Sequence, residues 1–213
     1  MDITYILLFI LAYLIGSIPT AVWLGKGFFG VDVRQHGSGN AGATNVFRVL
    51  GQKAGIAVFL IDAAKGMLAV NLTDFFFVPI QDENLLIGLQ LLLGLLAMAG
   101  HVFPLFAGFK GGKGVATLFG VVLGIHFFAA LTAFVIFWVV LLLSKYVSLS
   151  SLTAGISFPI LLIFAFDSTP LSLTIFSLLV AVLLIITHQK NIGRLLRREE
   201  NRISLKKKSG PLP

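Results

Sequence analysis

The chain has 213 residues, of which 57% are hydrophobic and only 12% are charged, and its mean hydropathy is +0.99. A soluble domain is about half apolar and about one-quarter charged, so this composition excludes a soluble globular enzyme and a disordered chain. The absence of cysteine excludes a disulfide framework, a cysteine–zinc site and a cysteine nucleophile. Long unbroken apolar runs predict an integral membrane protein built from helices rather than from a β-barrel.

Seven apolar segments are predicted to be membrane helices. In chain order they cover residues 3–25, 54–73, 84–101, 113–124, 127–145, 149–166 and 169–188. Pro19 predicts a kink in the first segment. The stretch 113–145 is too long for one ordinary span and too short for two full ones. We expect a turn near Gly120 and Gly124 to divide it into a short helix and a longer one.

The distribution of basic residues predicts the orientation of these helices. With seven spans and the N-terminus outside, every Lys and Arg except Lys65 falls in a cytoplasmic segment. A single helix over 113–145 would instead place the basic tail outside, so we exclude it. The sequence predicts an all-α integral membrane protein of about seven transmembrane helices, with the N-terminus outside and the C-terminus in the cytoplasm. It forms one domain over 1–213, with a basic tail over about 190–213.

The first polar motif is a glycine-rich loop over residues 34–48. Gly37, Gly39 and Gly42 have the spacing of a dinucleotide-binding fingerprint, but that assignment needs a preceding strand, and here an apolar helix precedes the loop. Glycines still allow backbone N–H groups to converge on an anion. The loop therefore predicts an anion site, with a plain capped loop as the structural alternative. Its polar side chains are Ser38, Asn40, Thr44, Asn45 and Arg48.

The second polar motif covers residues 100–117. Lys110 and Lys113 flank two glycines just before a helix that enters the membrane. Gly114 occupies the position where a Walker A motif needs Ser or Thr, so a nucleotide P-loop is excluded. Lysines, glycines and a helix N-terminus together predict a second anion site. The structural alternative is a basic cytoplasmic turn.

The third polar motif follows the last apolar segment. His188, Asn191 and Arg194 are spaced to lie on roughly one face of a helix, and histidine suits general base catalysis near neutral pH. Inside the second span, Asp62 and Lys65 are three residues apart. Ionisable residues at that depth are costly, so we expect either a structural ion pair or a functional site.

The cytoplasmic segments contain few acidic residues, namely Asp32, Glu199 and Glu200. A hard divalent cation needs several oxygen ligands, so we predict no metal site and no metal requirement. The segments also lack the His–Asp dyad spacing of the familiar soluble-loop acyltransferases and any Ser–His–acid arrangement.

Together, the three motifs resemble those of the bacterial acyl-phosphate-dependent glycerol-3-phosphate acyltransferases, the PlsY family. The resemblance rests on residues 37–48, 100–117 and 188–200, and it extends to 15–19 and 62–66. It covers the whole chain. The three motifs are specific in combination, whereas each glycine-rich loop alone would be a weak signal.

The resemblance implies an enzyme of the bacterial cytoplasmic (inner) membrane whose active site faces the cytoplasm. Such an enzyme transfers a fatty acyl group from acyl phosphate to the sn-1 hydroxyl of glycerol 3-phosphate. The products are lysophosphatidic acid and phosphate, and the reaction is the first acylation of phospholipid synthesis. The implied partners are the two small-molecule substrates and the lipid bilayer, with no cofactor, no nucleic acid and a monomeric state.

The resemblance also implies the site residues. Expected in catalysis are His188, Asn191 and Ser38. Expected to bind the substrates and their phosphates are Gly37, Gly39, Asn40, Gly42, Thr44, Asn45, Arg48, His101, Lys110, Gly111, Gly112, Lys113, Gly114, Thr117 and Arg194. Two questions stay open: which loop binds which phosphate, and whether the base is His188 or the phosphate of glycerol 3-phosphate. The alternative function is a transporter or flippase for a phosphorylated metabolite, which would also aim short helices at an anion.

Overall fold

A computed structural model of the chain describes residues 3–166 and 170–203. The part of the basic tail beyond Ile203, which entered the charge argument, lies outside the described residues. The described ranges are helical and contain no β-strand. Their α-helices are α1 Ile3–Ser17, α2 Thr20–Phe29, α3 Ala43–Leu50, α4 Gln52–Val70, α5 Leu72–Phe75, α6 Glu83–Val102, α7 Val115–Ile125, α8 Phe127–Ser144, α9 Val147–Phe164, α10 Leu171–Thr187 and α11 Gln189–Leu196.

Each of the seven predicted segments coincides with a helix or, for the first, with a bent pair of helices. α1 and α2 meet at 42°, which confirms the kink at Pro19, a residue without an N–H to donate. α10 and α11 meet at 63°, a bend that the sequence did not predict. Among the described residues, three helices are long and apolar enough to cross a membrane, or up to five if each bent pair is one span.

The stretch 113–145 forms two helices, as predicted, and the break at His126 falls between the predicted segments 113–124 and 127–145. His126 caps α8, because its Nδ1 accepts a hydrogen bond from the N–H of Ala129 at 3.3 Å. Gly120 and Gly124 lie inside α7. A Cβ atom at Gly120 would fall 1.8 Å from the carbonyl oxygen of Ala63. The glycine therefore serves close packing of α7 on α4 rather than a turn.

α7 is short, and it packs against α4, α6 and α8. The largest apolar core of the bundle joins it to α6, α8, α9 and α10, and includes Leu118, Val121, Leu162 and Phe176. A second core packs α1 against α4 and α6. This packing fixes the N-terminus of α7, and with it the second glycine-rich loop, beside the start of α11.

A buried charge cluster connects the bend between α1 and α2 to α4 and α6. Nζ of Lys65 lies 2.7 Å from Oδ1 of Asp62, so the predicted ion pair is confirmed. The same Nζ donates to the carbonyl oxygens of Ile18 at 2.7 Å and Gly16 at 3.3 Å. These carbonyl oxygens lie at the C-terminal end of α1, where the helix supplies no further N–H group to donate to them. Nδ1 of His101 lies 3.4 Å from Nζ, which brings α6 into the cluster.

Candidate active site

The first glycine-rich loop is built around one side chain, that of Asn45. Its Oδ1 accepts from the backbone N–H of Ser38 at 2.8 Å and from the Ser38 hydroxyl at 3.1 Å. Its Nδ2 donates to the carbonyl oxygens of Val33 at 2.7 Å and His36 at 3.1 Å. Gly37 has a φ of 61°, and a Cβ atom there would fall 2.4 Å from Oδ1 of Asn45. Glycine is therefore required at 37 both for conformation and for space.

The second glycine-rich loop folds back onto the end of α6. The N–H of Gly112 donates to the carbonyl oxygen of His101, and that of Gly111 donates to the carbonyl oxygen of Val102, both at 3.2 Å. A Cβ atom at Gly111 would fall 2.0 Å from the His101 oxygen. A Cβ atom at Gly112 would approach the carbonyl oxygen of Ala41 to 3.1 Å, so the two loops nearly touch at this point.

The third motif closes around a buried carboxylate. Oε1 of Glu200 accepts from Nδ2 of Asn191 at 2.7 Å and from the hydroxyl of Ser148 at 3.0 Å. Oε2 of Glu200 accepts from Nε of Arg194 at 2.7 Å. The remaining amide oxygen of Asn191 accepts from Nζ of Lys113. This network connects the second loop to α11 and to α9.

All three motifs face one cavity of about 630 Å³. Most of the predicted site residues line it: Ser38, Gly39, Asn40, Gly42, Thr44, Asn45, Arg48, His101, Gly111, Gly112, Lys113, Gly114, His188, Asn191 and Arg194. Both glycine-rich loops therefore line the same chamber.

Three helix N-termini converge on this cavity. Gly42, Gly114 and His188 are the N-cap residues of α3, α7 and α11, and all three line the chamber. The first N–H groups of a helix have no acceptor within the helix and give its start a partial positive charge. Anions bind readily at such ends. The convergence predicts a binding site for a strongly anionic molecule.

His188 presents one ring nitrogen for chemistry. The ring is buried, and Nδ1 lies 2.9 Å from the carbonyl oxygen of Leu184. A carbonyl can only accept, so Nδ1 carries the proton and leaves the lone pair of Nε2 as an acceptor. His188 also lines the cavity. The imidazole is thus held by the break between α10 and α11 in the tautomer that a general base requires.

The opposite end of the cavity is apolar and lies among α7, α8, α9 and α10. Its lining includes Phe119, Phe134, Phe158 and Val180. The rings of Phe119 and Phe134 stack with centroids 5.0 Å apart. One chamber therefore combines a cationic, hydrogen-bonding end with an apolar end inside the helix bundle.

Comparison with known proteins identifies the family. A family model described as glycerol-3-phosphate acyltransferase matches residues 6–198. The chain is 43% identical to a glycerol-3-phosphate acyltransferase of Chlorobaculum tepidum, over 97% of this chain and all of the relative. It is 46% identical to one from Streptococcus pneumoniae strain Taiwan19F-14, over 92% of each chain. This chain belongs to the glycerol-3-phosphate acyltransferase family.

Solved structures agree with the family assignment. The fold is similar to the crystal structure of PlsY (YgiH), an integral membrane glycerol 3-phosphate acyltransferase, in its glycerol 3-phosphate form. The TM-score is 0.82 at 39% identity, over 94% of this chain and 96% of that one. The lysophosphatidic acid form of PlsY matches with a TM-score of 0.80 at 38% identity. This member of the acyltransferase family is accordingly an integral membrane protein.

Three residues that were expected to bind substrate lie outside the cavity lining of this acyltransferase. Lys110 is exposed at the end of a tight turn. Thr117 is fully buried on α7, where its carbonyl oxygen faces Gly66 of α4. Gly37 makes room for Asn45. The structure therefore does not bring these three residues to the cavity lining with the others. The oxygen and the nitrogen of the Asn45 side-chain amide are both hydrogen-bonded, so the geometry of Asn45 fits a role in positioning the loop.

Two polar residues of the site were not predicted to act there. Glu200 holds Asn191 and Arg194, and Ser148 on α9 supports Glu200. The signal for Glu200 was present, because it is the last residue of the third motif. Its place beside α11 depends on the turn that follows the helix, where Arg198 has a φ of 58°. Ser148 has no distinguishing sequence pattern.

The electrostatics of the site follow from its burial. Burial lowers the pKa of Lys113 to about 8, Glu200 opposes that shift, and the nearby cations Arg194 and Arg48 reinforce it. Burial also lowers the pKa of Arg48. Burial raises the pKa of Glu200, but its hydrogen bonds, above all that from Arg194, lower it more, and the net shift is downward. Three cations against this carboxylate leave an excess of positive charge for an anionic ligand.

Proposed function

We propose that this protein transfers a fatty acyl group from acyl phosphate to the sn-1 hydroxyl of glycerol 3-phosphate, and releases lysophosphatidic acid and phosphate. The observation that supports this best is the two-ended cavity. Its cationic end suits phosphate groups and its apolar end suits an acyl chain, so the reacting bond would lie where the two ends meet. Family membership supports glycerol 3-phosphate as the acceptor.

The cationic end offers donors for both substrates. Arg48 donates from one terminal nitrogen to the carbonyl oxygen of Asn201 at 3.1 Å, while its buried Nε has no partner among the described residues. That free donor, together with Lys113 and the N-terminus of α7, suits phosphate oxygens. We propose that Arg48 and Lys113 bind phosphate directly, and that Asn191 and Arg194 are kept in place by Glu200.

The proposed step is a direct acyl transfer. The sn-1 hydroxyl oxygen attacks the carbonyl carbon of the acyl phosphate, the bond from that carbon to the phosphate oxygen breaks, and phosphate leaves with the electron pair. An acyl phosphate is already activated, so positioning and charge stabilisation supply most of the catalysis. The N–H groups and cations of the chamber stabilise the negative charge on the departing phosphate. No metal ion is needed for this chemistry.

The hydroxyl proton has two available acceptors: Nε2 of His188 and a phosphate oxygen of glycerol 3-phosphate. The variant His188→Gln distinguishes them, because glutamine keeps a hydrogen bond but cannot act as the base. Loss of activity by more than about 10³, together with loss of the acidic limb of the pH profile, where the imidazole becomes protonated, indicates the histidine. A smaller loss with an unchanged pH profile indicates the substrate phosphate.

We also propose that the chain is a monomer with one catalytic domain in the bacterial inner membrane, and that its active site faces the cytoplasm. The basic residues support seven spans with the N-terminus outside. Seven apolar helices or bent pairs occupy the required positions, from α1 to α10. Family membership favours this enzyme over the transporter alternative, as does the position of the polar residues at one end of the bundle.

The test uses purified protein in detergent with glycerol 3-phosphate and an acyl phosphate. We expect one phosphate released per lysophosphatidic acid formed, with the acyl group at sn-1. Omission of glycerol 3-phosphate measures the background hydrolysis of the donor. Phosphate release that does not depend on glycerol 3-phosphate would contradict the proposed function.

A further inference from the structure

Lys110 is one of the motif residues that lie outside the lining of the active-site cavity. It follows a turn over residues 103–109, which we call the aromatic turn, and it precedes the glycines that lead to Lys113. Lys113 enters the cavity, whereas Lys110 is exposed. Lys110 and Lys113 are only three residues apart, but they lie on different surfaces of the same loop.

The aromatic turn is held firmly in place. The N–H groups of Ala107 and Phe109 both donate to the carbonyl oxygen of Pro104, at 3.2 Å and 2.9 Å. The Tyr13 hydroxyl donates to the carbonyl oxygen of Phe103 at 2.8 Å. The Arg34 guanidinium donates to the carbonyl oxygen of Ala107 at 2.9 Å. The backbone is thus anchored to α1 and to the first loop, so the outward direction of its side chains is fixed.

The side chains of this fixed turn are large, apolar and uncovered. Phe103 is 58% exposed, Phe106 is 50% exposed and Phe109 is 56% exposed. Trp23 of α2 is 52% exposed and extends the patch, with its ring centroid 6.2 Å from that of Phe106. The backbone hydrogen bonds of the turn therefore hold this patch of aromatic rings in a defined position at the protein surface.

The patch is continuous with the surface that meets the membrane. One candidate span runs over Glu83–Ala107 and so includes most of the aromatic turn. Trp23 belongs to the bent pair α1–α2, which is another candidate span. Exposed lysines flank the patch: Lys26 on α2, whose Nζ also lies 3.3 Å from Oδ2 of Asp32, and Lys110 after the turn. Aromatic rings with adjacent lysines are typical of the boundary between a bilayer and the cytoplasm.

We propose that the aromatic turn inserts among the lipid headgroups of the cytoplasmic leaflet, and that Lys110 and Lys26 bind anionic phospholipids there. This inference rests on the cytoplasmic orientation proposed above. Each lysine near an anionic membrane surface contributes about 1 kcal/mol, or roughly fivefold in local lipid enrichment before screening. Because the same loop continues to Lys113, the lipid contact also fixes one wall of the active site.

The chain offers a direct optical test of this surface, because it contains only two tryptophans. In the variant Trp138→Phe, Trp23 is the only indole, and it lies against the turn. The protein is reconstituted in bilayers with equal fractions of brominated phosphatidylglycerol or brominated phosphatidylcholine. We expect the anionic lipid to quench Trp23 about two- to fivefold more effectively than the neutral lipid. Equal quenching by the two lipids would overturn the proposal.

Two controls make the test specific. In Trp23→Phe, the remaining Trp138 lies on α8, away from both lysines in sequence, and we expect equal quenching by the two lipids. Adding Lys110→Gln to Trp138→Phe should reduce the preference for the anionic lipid at Trp23. An undiminished preference would remove Lys110 from the proposal.

The depth of the turn is measured separately, because the chain has no cysteine. Spin labels at Phe106→Cys, Gln35→Cys and Leu143→Cys compare the turn with an exposed loop residue and an exposed residue of α8. We expect the label at 106 to be protected from a water-soluble relaxant as the label at 143 is, while the label at 35 is not. Equal accessibility at 106 and 35 would overturn insertion. Neither measurement requires turnover, so either can fail while the proposed enzyme activity holds.

Discussion

The two glycine-rich loops line the same cavity but are held by different means. The first loop wraps around the amide of Asn45, which makes four hydrogen bonds to three of its residues. The second loop contains no such side chain and lies directly on the backbone of α6 at His101 and Val102. The first loop is therefore organised by a side chain, and the second by close approach of two backbones.

This difference shows that similar glycine patterns can have different physical causes. Gly37 leaves space for a side chain and has a left-handed backbone, whereas Gly111 leaves space for a carbonyl oxygen. Substitutions in the two loops should consequently fail for separate reasons. The predictions below use that contrast, beginning with the largest effect.

The two lysines of the second loop give the largest expected contrast. Lys113→Ala removes a half-buried cation that faces Arg48, Arg194 and Glu200, so we expect kcat/KM to fall by at least about 100-fold. Lys110→Ala in detergent should change kcat/KM by less than about twofold, since an exposed charge outside the cavity contributes little. Steady-state assays of both variants provide the measurement. Equal losses would mean that both lysines bind substrate.

The close contact of the second loop predicts the next effect. Gly111→Ala places a Cβ atom 2.0 Å from the carbonyl oxygen of His101, and backbone cannot move as a flexible side chain does. Overpacking costs about 1–3 kcal/mol, and we expect roughly a thirtyfold loss of kcat/KM through displacement of Lys113. Gly27→Ala is the matched control, because nothing lies within 4 Å of a Cβ atom there. Full activity in Gly111→Ala would contradict the backbone contact.

The side-chain support of the first loop predicts a smaller loss. Asn45→Asp keeps the size and the acceptor but removes the amide donors to the carbonyl oxygens of Val33 and His36. A buried acceptor left without its partner costs about 1–3 kcal/mol, so we expect kcat/KM to fall about tenfold. Asn45→Ala should be worse, because it also releases Ser38. If Asn45→Asp has normal kinetics, the loop does not depend on this amide.

The low pKa of Lys113 predicts a modest alkaline limb. The ammonium group is charged below about pH 8 and loses its charge above it. Because the cation attracts an anionic substrate, kcat/KM should decline as the pH rises through that value. Lys113→Arg keeps its charge to about pH 12 and should remove the limb even if its overall rate is lower. The control variant Lys110→Arg should retain the alkaline limb. The measurement is the pH profile of kcat/KM for each variant.

The fold was predictable from sequence where its causes are local. Apolar runs determine which segments are helical, and the missing N–H of Pro19 determines the first kink. The position of the break near His126 was predicted, but Gly120 and Gly124 were expected to form the turn there and instead lie inside α7. Their actual role is contact between α7 and α4, which depends on residues more than 50 positions away in the chain.

The site was predictable as a set of motifs, but the direction of individual side chains was not. Lys110 and Lys113 are equivalent by composition, and only the hydrogen-bonded turn from Pro104 to Phe109 separates their directions. Thr117 belongs to the motif but is fully buried on α7, with its carbonyl oxygen against Gly66 of α4. The position of Glu200 depends on the chain reversal after α11, which composition does not reveal.

The most direct test of the central claim is to measure which acyl donor the enzyme uses. The chamber of about 630 Å³ provides phosphate donors beside an apolar end. Initial rates of lysophosphatidic acid formation should be compared for acyl phosphate and acyl-CoA with the same acyl chain. We predict ready transfer from acyl phosphate and negligible transfer from acyl-CoA. An acyl-CoA rate within about tenfold of the acyl phosphate rate, a difference of less than about 1.4 kcal/mol, would contradict the account.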